Sequence, residues 1–328
     1  MDRRNFLKTT AAVGSGVWLG SISAAESGIP FSGKSRIVLV QKSNVIQKNW
    51  QVTLADVQQL LDAGMKKWFG TESVTAAWRA LVQPSDVVGV KVNCLAGKGL
   101  STRPELVDAI IGGLRLAGVQ AKNIYVWDRL NDDLRRAGFK IQTSGDAVKF
   151  LGNDSAGYQS DLTCFGQVGS LVSRVVTDFC NVLINVPVLK DHGIVGVSVA
   201  LKNYFGAIHN PNKYHDHRGD PYVADVNMFP DIRHKTCFTI CDALVAQYEG
   251  GPPFMPQWAW PFGGLLLGND MVAMDQIGWQ IIEEKRQLEG IKNLKQAGRE
   301  PTYIATAAGY GLGTNRSAQI ELIKMGVG

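Results

Sequence analysis

The sequence predicts an α/β protein: a mostly parallel sheet with helices on both faces, plus a small β-rich insertion or lobe. Three observations carry this. Short, β-branched apolar runs alternate with stretches whose apolar residues recur at helical spacing. Pro, Gly, Ser and Asn punctuate the junctions. The strands read as continuous apolar runs, as strands covered on both faces do. Over 328 residues, 45% hydrophobic and 19% charged is ordinary globular composition, enough for a substantial core.

In chain order, residues 36–40 form a first strand. Residues 54–69 follow as a helix with Leu54, Val57, Leu60, Leu61, Met65 and Trp68 at helical spacing and Thr53 as its N-cap. A strand at 86–93 comes after the Pro84-Ser85 turn. A helix over 104–117 has Pro104 at its start and Gly118 past its end. A strand at 123–128 precedes a short helix, 131–137, stopped by Gly138. Residues 140–169 break the rhythm with short β-like runs, which read as an insertion or lobe. A strongly apolar strand occupies 182–186, a helix 196–205, and strands 235–241 and 264–267. A long helix covers 271–288, and a polar helical tail ends the chain. The segment 250–264, GGPPFMPQWAWPFGG, is a long loop with two tryptophans, suited to a lid or partner surface.

The amino terminus reads as an export signal. Arg3 and Arg4 are followed by Asn5, Phe6, Leu7 and Lys8, a mildly apolar run, and the small residues Ser23-Ala24-Ala25. Paired arginines with low hydrophobicity point to twin-arginine export machinery, although Asp2 stands where such signals usually have Ser or Thr. The expected division is a signal over 1–25 and one α/β domain over 26–328, periplasmic or secreted. The apolar run is far shorter than the roughly 20 residues a membrane span needs, so no permanent membrane anchor is expected. Removing the signal takes away three positive charges and one negative, so the net charge falls from +5 to +3. A chain so nearly balanced has no basic footprint for nucleic acid. The five cysteines, Cys94, Cys164, Cys180, Cys237 and Cys241, have no zinc-ribbon or ferredoxin spacing. Cys237 and Cys241 are expected on one face of a strand, too far apart to bridge.

Ligands of open parallel sheets bind beyond the carboxyl ends of the strands. The residues there are Asn93, Cys94 and Arg103 after the second strand, which itself carries Lys91, and Asp128 after the third. Lys190, Asp191 and His192 follow the apolar strand, with Asp242 and Asp270 after the last two. Loop polarity accounts for any one of these, but less well for Lys190-Asp191-His192 directly after a buried strand. The five histidines, His192, His209, His215, His217 and His234, all fall between positions 192 and 234. Three lie in the loop HNPNKYHDHRGDP. There His215 and His217 flank Asp216 and, if extended, share a face, so His209, His215 and His217 are the candidate ligands for a divalent metal. A solvated loop would account for any one of them. Lys202, in the apolar pattern VSVALKNYFGAI, must snorkel, pair, or point at a ligand, and Asn203 follows it.

Two function classes fit. In an enzyme, Lys190, His192, Lys202 and Asp242 are the catalytic candidates. Lys91, Asn93, Arg103, Asp128 and Asn203 hold an anionic substrate or cofactor, and Asp128, Asp242 or Asp275 orient it or act as general base. Cys94, beside these cations, is a candidate thiolate. The chemistry is then redox or isomerase-like, or metal-assisted hydrolysis. In a periplasmic binding or accessory protein, the same residues catch an anionic small molecule or metal. No Ser/His/Asp motif, P-loop or post-strand GxGxxG is present.

The run NVLINVPVLKDHGIVGVSVALKNYFGAI, followed by FTICDALVAQYEGGP and LLLGNDMVAMDQIGW, resembles the bacterial and archaeal family known as domain of unknown function 362, over about residues 87–279. Asp191 departs from it, since members often have Thr there. Relatives often carry a ferredoxin-like cluster segment; this chain lacks its cysteine spacing, so no iron–sulfur centre is carried over. A weaker likeness, through Thr102-Arg103-Pro104 to Gly118, is to the amino-terminal domain of nickel-dependent lactate racemase, and it implies hydride or proton movement at a hydroxy-acid-like carbon.

Overall fold

The computed structural model describes residues 34–328. The export signal expected at 1–25 lies outside them. The main sheet runs β13-β1-β12-β10-β7-β2-β3-β4. Its strands are β1 (Ser35–Lys42), β2 (Val88–Lys91), β3 (Ile124–Asp128), β4 (Lys149–Gly152), β7 (Val182–Asn185), β10 (Thr236–Gln247), β12 (Gly264–Gly268) and β13 (Ile320–Val327). Along that path only β12 is antiparallel to its neighbours. β5 (Thr163–Phe165) and β6 (Val168–Ser170) make a separate two-stranded addition. β4, also within the stretch that broke the strand–helix rhythm, is instead the outer strand beside β3.

Strand alternation builds two cores, one on each face. Val38 and Val40 of β1 face one core, and Ile37 and Leu39 the other. The first core is covered by α1 (Leu54–Phe69), α2 (Val74–Leu81) and α3 (Pro104–Ala117). The second is covered by α6 (Ala200–Asn203), α7 (Tyr222–Asn227) and α9 (Met271–Leu288), while the short α4 (Asn131–Ala137) and α5 (Asn153–Ala156) flank the β3–β4 edge. The expected boundaries hold where local chemistry sets them. The Thr53 hydroxyl accepts from Asp56 N at 3.1 Å. Gly118 and Gly138 end their helices at φ +103° and +105°, a conformation that suits Gly.

Three elements differ from expectation. The helix expected over 196–205 begins only at Ala200. Before it, β8 (Val188–His192) and β9 (Gly196–Ser198) form a hairpin. Val197, at the centre of β9, is β-branched and fully buried, and the buried Val195 and Val199 flank it, so the strand wins there. The polar helical tail is a short helix, α10 (Tyr303–Gly309), and then β13, which pairs in parallel with β1 along its whole length. Cys237 and Cys241 share β10, yet Cys241 belongs to one core and Cys237 packs against the other. A register shift between Thr236 and Phe238 intervenes. All five cysteines are free.

Asp270 caps α9: its Oδ1 accepts from Ala273 N at 2.8 Å. Its Oδ2 also accepts from Thr314 N at 3.0 Å and from the Ser35 hydroxyl at 2.5 Å. Sequence reasoning makes Asp270→Asn nearly neutral, since Asn also caps. The second oxygen changes that. Asn keeps the cap but cannot accept at Oδ2, so Asp270→Asn is expected to cost about 1–2 kcal/mol in chemical denaturation. Unchanged stability would show that the Thr314 and Ser35 contacts contribute nothing.

Candidate functional site

A cavity of about 450 Å³ opens at the carboxyl ends of β2, β3 and β8. Lys91, Asn93, Asp128, Lys190, His192, Lys202, Asn203 and His215 all line it. β8 explains part of this. Alternate residues of a strand point to opposite sides, so Lys190 and His192 face the cavity and Asp191 faces away. Asp191 instead accepts from Arg299 Nη1 at 2.7 Å and from Gly251 N at 2.8 Å. With the Gly193 N to Gly251 O bond at 2.8 Å, this ties the Gly251-Pro252 end of the tryptophan loop to the cavity mouth. Asp191 thus anchors that loop.

The floor is a saturated polar network. Lys91 Nζ donates to Asp128 Oδ1 at 2.7 Å, Val92 O at 2.6 Å and Asn203 Oδ1 at 3.2 Å. Asp128 Oδ2 accepts from Cys94 N at 2.6 Å. Asn203 Oδ1 also accepts from Asn93 Nδ2, and its amide donates to Lys91 O and Asn185 Oδ1. The next residues along are Tyr204, Phe205 and Gly206. A Cβ on Gly206 would lie 2.8 Å from Lys91 Nζ and 2.9 Å from Asp128 Oδ1, so the ion pair needs glycine there.

Above this floor stand two lysines of a different kind. Lys190 Nζ donates to Asn93 Oδ1 at 2.7 Å and Leu100 O at 3.5 Å. Among the described residues, Lys202 Nζ meets only His215 Nε2, at 3.2 Å, and the Phe205 ring face, at 3.7 Å from its centroid. Among the described residues neither has a carboxylate within ion-pair distance, although they are only 1% and 8% exposed. Burial pushes Lys190 down to about 8, with Asp128 partly opposing. Burial, then the Lys190 charge, pushes Lys202 down to about 7.

The two histidines are held neutral. Burial first, then Lys202, takes His192 to about 2 and His215 to about 4. Their rings lie 5.6 Å apart, inclined at 26°. Ile194 N and Val195 N donate to His192 Nδ1 at 3.2 and 3.4 Å, so its proton sits on Nε2. His215 Nδ1 donates to Pro211 O at 3.0 Å, so its Nε2 is the acceptor facing Lys202.

α6 carries Lys202 and Asn203, and Asp275 of α9 fixes its amino end. The carboxylate accepts from Ala200 N at 2.6 Å and Leu201 N at 3.3 Å, with the Tyr303 hydroxyl at 3.2 Å. Asp275 therefore occupies the helix end that could otherwise face a bound anion. Asp275 lies behind the site and positions it, and burial raises its carboxyl to about 7.

Other candidates lie apart. Asp242 accepts from Arg103 N at 2.9 Å and Leu244 N at 3.1 Å, which fixes the start of α3; neither it nor Arg103 lines the cavity. Cys94 is fully buried, and burial with the Asp128 charge drives its thiol well up, so it is no thiolate. His209 is exposed and packs edge-on against Tyr158, 5.0 Å between centroids. His217 is exposed in a turn at φ +50°, not in extended chain beside His215. Among the described residues no three His, Cys, Asp or Glu side chains are grouped to hold a metal ion.

Sequence reasoning missed Phe205, Gly206, Asp133 and Pro252 as lining residues. Only the Tyr-Phe-Gly after Leu-Lys-Asn and the Gly-Gly-Pro-Pro run signalled them, and neither has a spacing that implies a cavity. No helix of the described residues is long and apolar enough to cross a membrane. A family model described as Domain of unknown function (DUF362) matches residues 88–280, more than half of the chain. No curated protein matches it.

Proposed function

The chain belongs to the DUF362 family, and we propose that it is an enzyme acting on an anionic small molecule in the cavity at the strand ends. One observation carries this: among the described residues, two buried lysines, Lys190 and Lys202, share the cavity with no carboxylate within ion-pair distance of either. An unpaired buried ammonium is costly, and a bound anion would supply the missing charge. Lys190, Lys202 and the His192 Nε2–H are the groups that face the anion. Lys202 and His215, in direct contact, are the pair that moves a proton. A binding or accessory protein would use the same cations, but it needs no such pair, which favours the enzyme. The scattered positions of His209, His215 and His217 give a metal no three-ligand seat, so no step is routed through one.

The test is calorimetric titration with inorganic sulfate, whose charge is constant through the neutral range. Saturable binding at one site per chain supports the proposal. Absence of binding at low ionic strength sinks it.

We further propose export of the folded protein by the twin-arginine route, on the strength of Arg3, Arg4 and Ser23-Ala24-Ala25. The mature chain is then periplasmic or secreted and starts at or within a residue or two of Glu26. Arg3→Lys with Arg4→Lys is expected to leave the full-length precursor inside the cell. Normal processing of that double variant, followed by immunoblot of cell fractions, would overturn the assignment.

A further inference from the structure

We propose that Lys202 is a nucleophile that condenses with a carbonyl group of the bound anion, so that the substrate class is a small oxo acid; this rests on the anion-site reading above. The three amines on the cavity are not equivalent. Lys91 has three oxygen acceptors for its three hydrogens, one of them the Asp128 carboxylate. Lys190 has two oxygen acceptors and one hydrogen left for an anion. Among the described residues, Lys202 has no oxygen acceptor. Its one polar partner is His215 Nε2, itself a base, and its other contact is an aromatic face. An amine so placed can be neutral without breaking an oxygen contact, and a neutral amine has the lone pair that attacks carbon. The downward push on Lys202 from burial and Lys190 agrees with this.

The remaining groups match the needs of the step. Lys190 stands on the same cavity to hold a carboxylate. The His192 Nε2–H is a donor for the carbonyl oxygen. The Lys202 nitrogen forms a bond to the carbonyl carbon, and the carbonyl π pair moves to oxygen. His215 Nε2 takes one proton from the nitrogen and returns it to the oxygen, giving a carbinolamine. The nitrogen lone pair then forms C=N as the hydroxyl leaves, and the second N–H proton, carried over by His215, departs on it as water. Amine and carbonyl give imine and water, with no oxidation or reduction. The imine withdraws electrons from the adjacent carbon and so eases loss of a proton or carboxylate there.

The full chain is incubated with glyoxylate, a small aldehyde bearing a carboxylate, near neutral pH and then reduced with sodium borohydride. Hydride reduces any imine to a secondary amine, leaving a carboxymethyl group that peptide mass spectrometry locates. Lys202 is expected to carry that group about tenfold or more above any other lysine, because ordinary lysines remain protonated at this pH. Lys202→Arg should abolish the mapped adduct; mapping of the unaltered chain stands whether or not that variant folds. Labelling spread evenly over surface lysines, or absent, overturns the proposal. Sulfate binding without Lys202 labelling overturns the imine and leaves the anion site standing. Lys202 labelling without sulfate binding upholds the imine and overturns the anion-site reading.

Discussion

Lys202→Met is expected to weaken sulfate binding by about 2–5 kcal/mol, the usual consequence of removing one partner of a buried charge-assisted contact. The fold should persist, because Lys202 makes no ion pair and a methionine fills the same channel against Phe205. Lys190→Met should have an effect of the same sign, with an added loss from the orphaned Asn93 carbonyl. The pH dependence follows from the shifts. In the empty site Lys202 and Lys190 lose their protons near 7 and 8. A bound anion favours the charged forms and raises both. Sulfate affinity is then flat below about pH 7 and falls as pH rises through 7 and 8. In Lys202→Met the onset of that fall should move up towards 8. Calorimetry across this range checks both points. Affinity that stays constant as pH rises, or that is unmoved by Lys202→Met, would show that the anion sits elsewhere.

Asp128→Ala is expected to destabilise the protein by about 3–5 kcal/mol, since it leaves Lys91 as an uncompensated charge in a closed site. Lys91 is 1% exposed, and its other acceptors, Val92 O and Asn203 Oδ1, are neutral. The variant also strands Cys94 N, which donates to the same carboxylate. Removing both charges is gentler. Lys91→Met with Asp128→Leu deletes the buried ammonium, so the double variant should be more stable than Asp128→Ala alone. Denaturant unfolding of the three proteins reads this directly. Additive losses, with the double variant worse than the single, would mean that the pair contributes through packing and not through charge.

These effects came from different depths of the sequence. The fold class was legible, because alternating β-branched runs and helical periods are local signals, and so were the Thr53, Gly118 and Gly138 boundaries. Lys190 and His192 were legible as well. They leave the end of a buried strand, and period-two alternation puts both on the same side. What went unread was set by neighbours distant in the chain. β13, IELIKMGV, has no local signal that sets it apart from helix until it is seen pairing with β1. The start of α6 was misplaced because residues Gly196, Val197 and Ser198 settle into a hairpin whose partner is the end of β8.

The sequence by itself determined which residue types gather at the strand ends, and that one apolar segment carries a lysine with nothing local to neutralise it. Only the tertiary structure decided which of those charges are satisfied. Lys91 meets Asp128 across two neighbouring parallel strands, whereas Lys202 meets a neutral imidazole. Asp275 takes the helix end that an anion would otherwise use. The physical reason is that desolvation and pairing depend on what surrounds a group in space, and burial is a property of the folded chain alone.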